Sequence, residues 1–261
     1  MKFAGIIAEY DPFHNGHAWQ LAQAKALGAE RVAVAMSCSL VQRGALPLLP
    51  EAVRTRSALT CGADLVFALP APCACAGAEA FARAGVALLA AAGCDGLVFG
   101  AETPDAALLM EAAELLDSGS YRAALKAQLG GGARSFAAAR QAAAAQLASD
   151  ERVAALLDKP NNNLAVEYCR AIRSLAPRME AYPLPRQGAN HGEALHSAHG
   201  QFASASALRK LWAEGGADAV APYVPEAVFP LYQEAYAAGQ YTDFSAAGRC
   251  ELALLRSACR G

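Results

Sequence analysis

Two histidines, His14 and His17, flank Gly16 near the start of the chain, in the run Ile6-Ile7-Ala8-Glu9-Tyr10-Asp11-Pro12-Phe13-His14-Asn15-Gly16-His17. Imidazoles at this spacing share one face of a helical turn. Where such a turn opens a helix, unpaired N–H groups and the positive end of the dipole favour an anion, phosphate above all. Gly16 removes a side chain where a nucleotide must approach the backbone. The flanking residues supply the required elements. Phe3–Ala8 is an apolar run that reads as a buried strand, Asp11-Pro12 breaks it, and Ala18, Leu21 and Ala22 then recur at helical spacing. A lone histidine near a helix start is ordinarily a surface or capping group. Two around a glycine, behind a strand and an Asp-Pro turn, read instead as a cradle for a triphosphate.

The rest of the chain provides a scaffold for that motif. It has 261 residues, of which 55% are hydrophobic and 18% charged, enough for a sizeable core and too apolar for disorder. Further strand-like runs fall at Arg31–Met36, Leu65–Leu69, Gly96–Phe99 and Met179–Leu184, separated by helical patterns at Asn15–Leu27, Pro50–Cys61 and Glu79–Ala92. Strands alternating with helices predict a Rossmann-like, doubly wound α/β fold with a five-stranded parallel sheet. Its ligand belongs outside the carboxyl ends of the strands, at the switch point, where the first loop carries the histidines. Residues 103–176 read as a helical insertion, residues 1–215 as the core with it, and 216–261 as a short helical extension.

Composition also bounds the function. No apolar stretch reaches bilayer length, and Met1-Lys2-Phe3 runs straight into a strand, so a soluble, cytoplasmic protein without membrane partners is expected. Nothing in the pattern speaks to oligomeric state. The net charge of −2 gives no global pull on nucleic acid, so an RNA partner needs a local basic patch. The eight cysteines (Cys38, Cys61, Cys73, Cys75, Cys94, Cys169, Cys250 and Cys259) contain no C-x-x-C pair and are expected to be reduced core residues, with no metal site. His191, His196 and His199, in a segment read as a loop, leave zinc as a weak alternative.

Other polar groups gather at expected strand ends. Arg43, in Met36-Ser37-Cys38-Ser39-Leu40-Val41-Gln42-Arg43-Gly44, is placed to neutralise pyrophosphate. Gly100, in Phe99-Gly100-Ala101-Glu102, would let adenine or ribose lie on the backbone. Pro160-Asn161-Asn162-Asn163 reads as the approach to a helix over Leu164–Ile172, with capping using one amide and leaving others for a ligand. Arg186 follows the fifth strand, and Ser204-Ala205-Ser206-Ala207-Leu208-Arg209-Lys210 begins a helix with hydroxyls at its positive end.

The first run resembles the H-x-G-H signature of the nucleotidyltransferase superfamily, and the last its second signature, I-S-S-T-x-I-R. Taken with M-S-x-x-x-x-Q-R-G, F-G-x-E, P-N-N and P-x-R-Q-G-A, in this order from Ile6 to about Lys210, the set is similar to one branch, the tRNA(Met) cytidine acetate ligases. The resemblance implies adenylation of acetate with ATP, Mg²⁺ alongside, and transfer of the acetyl group to the wobble cytidine of elongator tRNA(Met). It implies an ATP loop of Ile7, Ala8, Glu9, Tyr10, Asp11, Pro12, Phe13, Asn15, Gly16 and Gln20 around the histidines, completed by Gly100, Asn161, Asn162 and Arg186. His14 and His17 would stabilise the α-phosphate and bridging oxygen, while Arg209 and Ser206 would hold leaving pyrophosphate. Arg43, Arg54, Arg56, Arg249, Arg256 and Arg260 are the expected tRNA phosphate contacts, and the C-terminal extension reads as the start of a tRNA-binding region. One departure stands out: Glu51 occupies a position where the family usually carries lysine. The alternatives are a small-molecule adenylyltransferase and a non-catalytic ATP- or RNA-binding relative.

Overall fold

The computed structural model describes residues 1–131, 135–186, 195–197 and 200–248. Five strands, β1 Phe3–Ala8, β2 Arg31–Ser37, β3 Leu65–Leu69, β4 Gly96–Ala101 and β5 Glu180–Pro185, form an all-parallel sheet in the order β3-β2-β1-β4-β5. The chain winds outward from β1 in one direction and then, from β4, in the other. The switch point therefore lies between β1 and β4, as the alternating pattern predicts.

Four helices, α1 Asn15–Ala26, α2 Glu51–Thr60, α3 Ala71–Ala74 and α4 Ala78–Ala91, belong to the first crossovers. The long connection from β4 to β5 holds α5 Ala106–Asp117, α6 Gly119–Gly130, α7 Phe136–Leu147, α8 Glu151–Leu156 and α9 Pro160–Leu175. A small antiparallel hairpin, β6 Leu195–Ser197 and β7 Gly200–Phe202, precedes α10 Ala205–Val220 and α11 Phe229–Ala237. All five expected strands are present, with ends shifted by a residue or two. The hairpin and α3 were not expected, because elements of three or four residues are too short to show a period.

Both sheet faces are covered, and β2 shows why its sequence is a continuous apolar run. Val32, Val34 and Met36 enter one core with α1, α2, α10 and α11, whereas Ala33 and Ala35 enter the other with α4, α5 and α9. On that second side α4 sits directly on β1: a Cβ added to Gly85 would lie 2.5 Å from Ile7 Cδ1.

Described residues beyond 215, among them Ala217, Val220, Tyr232 and Ala235, are packed into the first core. The boundary expected there falls inside α10, at a kink where Gly216 has φ +67° and a Cβ would lie 2.5 Å from the Tyr236 ring. In α11, fully buried Tyr232 donates its hydroxyl to the Phe13 carbonyl at 2.7 Å, bracing the β1–α1 loop.

Among the described residues no helix is long and apolar enough to cross a membrane. The described cysteines are all free, and no group of three or more His, Cys, Asp or Glu among these residues is arranged to hold a metal. Cys250, Cys259, His191, His199 and the His196 side chain lie outside the described residues.

Candidate active site

The β1–α1 corner closes on its own histidines. His14 is the N-cap of α1, and its Nδ1 accepts the Gly16 N–H at 3.0 Å. His17 Nδ1 accepts the His14 N–H at 3.2 Å, so the pair forms a reciprocal capping box with imidazoles in place of the usual hydroxyl and carboxylate. The rings stack, centroids 3.7 Å apart. An Nδ1 that accepts a backbone N–H carries no proton, so in each neutral ring the proton sits on Nε2. Burial, and then the charge of Arg186, hold His14 down to about 3. Burial, His14 and Arg186 together hold His17 well below its usual value. The corner thus offers two neutral Nε2–H donors at a helix N-terminus.

The loop before them is tightly braced. Tyr10 adopts a left-handed conformation, φ +50°, and its buried ring packs edge-on against Phe13 and His17 at 4.9 and 4.8 Å. Asp11 accepts the Leu48 N–H at 2.6 Å and pairs with Arg209 at 3.0 Å, while Glu9 accepts the Gln42 N–H at 2.5 Å. Burial raises both carboxyls above their ordinary values, and these hydrogen bonds oppose it.

Across the switch point, β4 and β5 bring up a second wall. Glu102 accepts the Asn161 and Asn162 backbone N–H groups at 3.2 and 2.7 Å, a carboxylate at the positive end of α9, and also the Asn161 side-chain amide at 2.6 Å. Arg186 in turn donates to Asn161 Oδ1. Gly100 lies beside them, where a Cβ would come within 3.4 Å of Arg186 Cγ.

These walls enclose a cleft of about 360 Å³ outside the strand carboxyl ends. It brings together Ile7, Ala8, Glu9, Tyr10, Asp11, His14, Gly16, His17, Gln20, Gly100, Asn161 and Arg186. Pro12, Phe13, Asn15, Asn162, Ser206 and Arg209 are not part of its lining. Phe13 is buried in the core, and Asn15 is buried with its amide donating to the Pro222 carbonyl at 3.3 Å. Arg209 reaches the Asp11 carbonyl at 2.7 Å as well as its carboxylate, so it braces the loop from behind. Ser206 is exposed, its hydroxyl 3.0 Å from that of Ser204.

The asparagine triplet resolves differently from its sequence reading. Pro160 is tolerated in the first turn of α9, so the helix starts there and the triplet lies inside it. Asn162 is fully buried, accepting the Thr103 N–H at 2.9 Å and donating to the Thr103 hydroxyl at 3.1 Å; Asn163 bonds the Leu157 and Lys159 carbonyls. Only Asn161 faces the cleft. Asn162→Ala should therefore cost about 1–3 kcal/mol of stability, the price of an unpaired buried group, and leave affinity for the nucleotide expected from the sequence near wild type. Asn161→Ala should do the reverse. Thermal melts beside nucleotide titrations of the two variants check this.

Sequence reasoning missed Trp19, Gln42, Phe81, Phe99, Leu164 and Tyr168, which also line the cleft. The helical phase of α9, with Asn161, Leu164 and Tyr168 on one stripe, was the signal that would have found two of them. Arg54, expected on the surface, is instead fully buried. Arg56 is exposed, 3.8 Å from Glu234, and Arg249, Arg256, Arg260 and the Arg43 side chain lie outside the described residues. Glu51 opens α2, where a carboxylate suits the positive end of the helix. A larger cleft of about 580 Å³ lies between α4, α6 and α9, on a floor where Glu167 bridges Arg140 and Arg170. Its charges are largely spent on one another.

The model of the family described as HIGH Nucleotidyl Transferase matches residues 1–256. The chain is 41% identical over 218 residues to the tRNA(Met) cytidine acetate ligase of Syntrophotalea carbinolica, covering 82% of the chain and 52% of that relative. It is 35% identical to the enzyme of the same name from Caldanaerobacter subterraneus, covering 92% of the chain and 60% of the relative. A crystal structure of Thermotoga maritima TmcAL bound with alpha-thio ATP superposes with a TM-score of 0.82 at 30% identity, over 92% of this chain and 57% of that one. The apo form of the same protein gives 0.83 at 31% identity. The chain thus spans a little over half the length of the relatives it matches.

Proposed function

The chain belongs to the HIGH nucleotidyl transferase family, and from that premise we propose that it adenylates acetate with ATP and passes the acetyl group to the wobble cytidine of elongator tRNA(Met), forming N4-acetylcytidine. The observation that carries this reading is the pair of neutral Nε2–H donors at the N-terminus of α1, inside the switch-point cleft. Donors fixed before the reaction stabilise charge on a phosphate without reorganising as it develops. The names of the relatives support the acceptor and the acid, and the nucleotide-bound relative supports ATP.

In the proposed first step the acetate carboxylate attacks the α-phosphorus in line and pyrophosphate departs, giving acetyl-adenylate. No protein nucleophile is needed. His14 and His17 stabilise the phosphoryl oxygens, and Arg186, held by Asn161, adds positive charge at the opposite wall. Release of pyrophosphate through Arg209 and Ser206 requires Arg209 to exchange its Asp11 contact for phosphate. In the second step the cytidine amine attacks the acetyl carbon, AMP leaves, and the amine proton is released. Mg²⁺ bound with ATP would supply further charge neutralisation, and it would need few protein ligands because it keeps several waters.

Acetate-dependent exchange of labelled pyrophosphate into ATP tests the first step. Nucleoside mass spectrometry of tRNA(Met) after incubation with ATP and labelled acetate tests the second. Exchange that ignores acetate but follows another acceptor would overturn the reading in favour of a small-molecule adenylyltransferase.

A further inference from the structure

Arg54, closing the first turn of α2, has no exposed surface, yet it contacts no carboxylate within ion-pair distance among the described residues. Its guanidinium spends its donors on backbone carbonyls from three separate segments. Nη1 donates to Glu9 and to Ser37, both at 2.7 Å, Nη2 donates to Cys38, and Nε donates to Leu49 at 3.0 Å. These are the end of β1, the end of β2 and the turn before α2. A buried cation is costly unless its hydrogen bonds are met, and here backbone dipoles meet them.

The Glu9 carbonyl immediately precedes Tyr10, whose left-handed backbone is strained for a residue with a side chain. Such a conformation persists only where its surroundings over-determine it. Arg54 holds the peptide on one side, and the Asp11–Arg209 pair holds it on the other. The Tyr10 ring then sets His17 by edge contact, and His17 sets His14 through the capping box. On the footing that the cleft takes ATP, we infer that Arg54 is the positioning residue of the phosphate loop. It acts through the Glu9–Tyr10 turn on the tautomer and orientation of the histidine pair.

The test compares Arg54→Lys and Arg54→Met with wild type at a temperature where circular dichroism shows each folded. ATP affinity is read by calorimetric titration, and the histidine tautomers by ¹⁵N-correlated NMR. Arg54→Met should weaken ATP at least tenfold and lose the Nε2–H tautomer signature of His17, and Arg54→Lys should fall between the two. A residue needed only for folding would lower the active fraction without moving affinity or tautomer. Folded Arg54→Met with wild-type affinity and tautomers therefore overturns the inference, as does failure of both variants to fold. Should wild type itself not bind ATP, the functional reading fails, and the NMR comparison still decides the role of Arg54.

Discussion

Replacing either His14 or His17 with Ala should lower the proposed acetate-dependent pyrophosphate exchange by on the order of a hundredfold or more, the usual cost of losing a pre-set donor to a transition state. Stability should suffer far less. His14→Ala removes the side-chain cap on the Gly16 N–H, worth about 1 kcal/mol, and His17→Ala removes the acceptor of the His14 N–H, of similar worth. The two variants should also be non-additive, because the rings stack at 3.7 Å and each fixes the other through the capping box. Exchange assays with chemical denaturation of both single variants and the double variant check this. Wild-type exchange in either single variant would remove that histidine from the reaction.

The second large effect is on pH. An unfolded histidine titrates near 6.5, whereas folded His14 titrates at about 3 and His17 is also lowered, both chiefly through burial. Between those values the unfolded chain binds protons that the folded chain does not. Stability is therefore present above pH 6.5 and lost as pH falls toward 3. One such group contributes up to about 1.4 kcal/mol per pH unit between its folded and unfolded values. Between pH 6.5 and pH 5 unliganded protein should lose about 1–2 kcal/mol through His14, and His17 acts in the same direction. Glu9 and Asp11, raised by burial, act in the opposite sense at the acidic end, since the folded state takes up their protons first. Comparison with His14→Asn isolates the histidine contribution, because asparagine still caps the helix and does not titrate. Its melting temperature should fall less steeply with acidification, and an identical slope would mean that His14 is not held neutral.

Much of the site was readable before folding because its parts are contiguous. An apolar run, a break and a helical period specify a strand–loop–helix corner locally, and the H-x-G-H spacing then puts both imidazoles on one turn. The same reasoning located all five strands, whose buried faces require continuous apolar runs. Sequence also named Arg186, Gly100 and Asn161 as partners across the cleft, since strand ends in a parallel sheet converge at one edge.

What sequence could not assign is which atom of each polar group is already in use, because that depends on neighbours distant along the chain. Arg54 has a surface residue's composition and a core residue's position: carbonyls of Glu9, Ser37, Cys38 and Leu49 converge on it only once β1, β2 and α2 are packed. Asn161 and Asn162 are adjacent and alike in sequence, yet the helical rotation between them sends one to the cleft and the other to Thr103. Arg209 lies 198 residues from Asp11 and meets it only because α10 packs behind the β1–α1 loop. The histidine pair was legible as one face of a helix start, but its capping bonds, and hence the proton on Nε2, were decided by the closed corner. Local pattern determines elements, since backbone periodicity is a short-range property. The state of a polar group is set by the low-dielectric packing around it, and that exists only in the assembled tertiary structure.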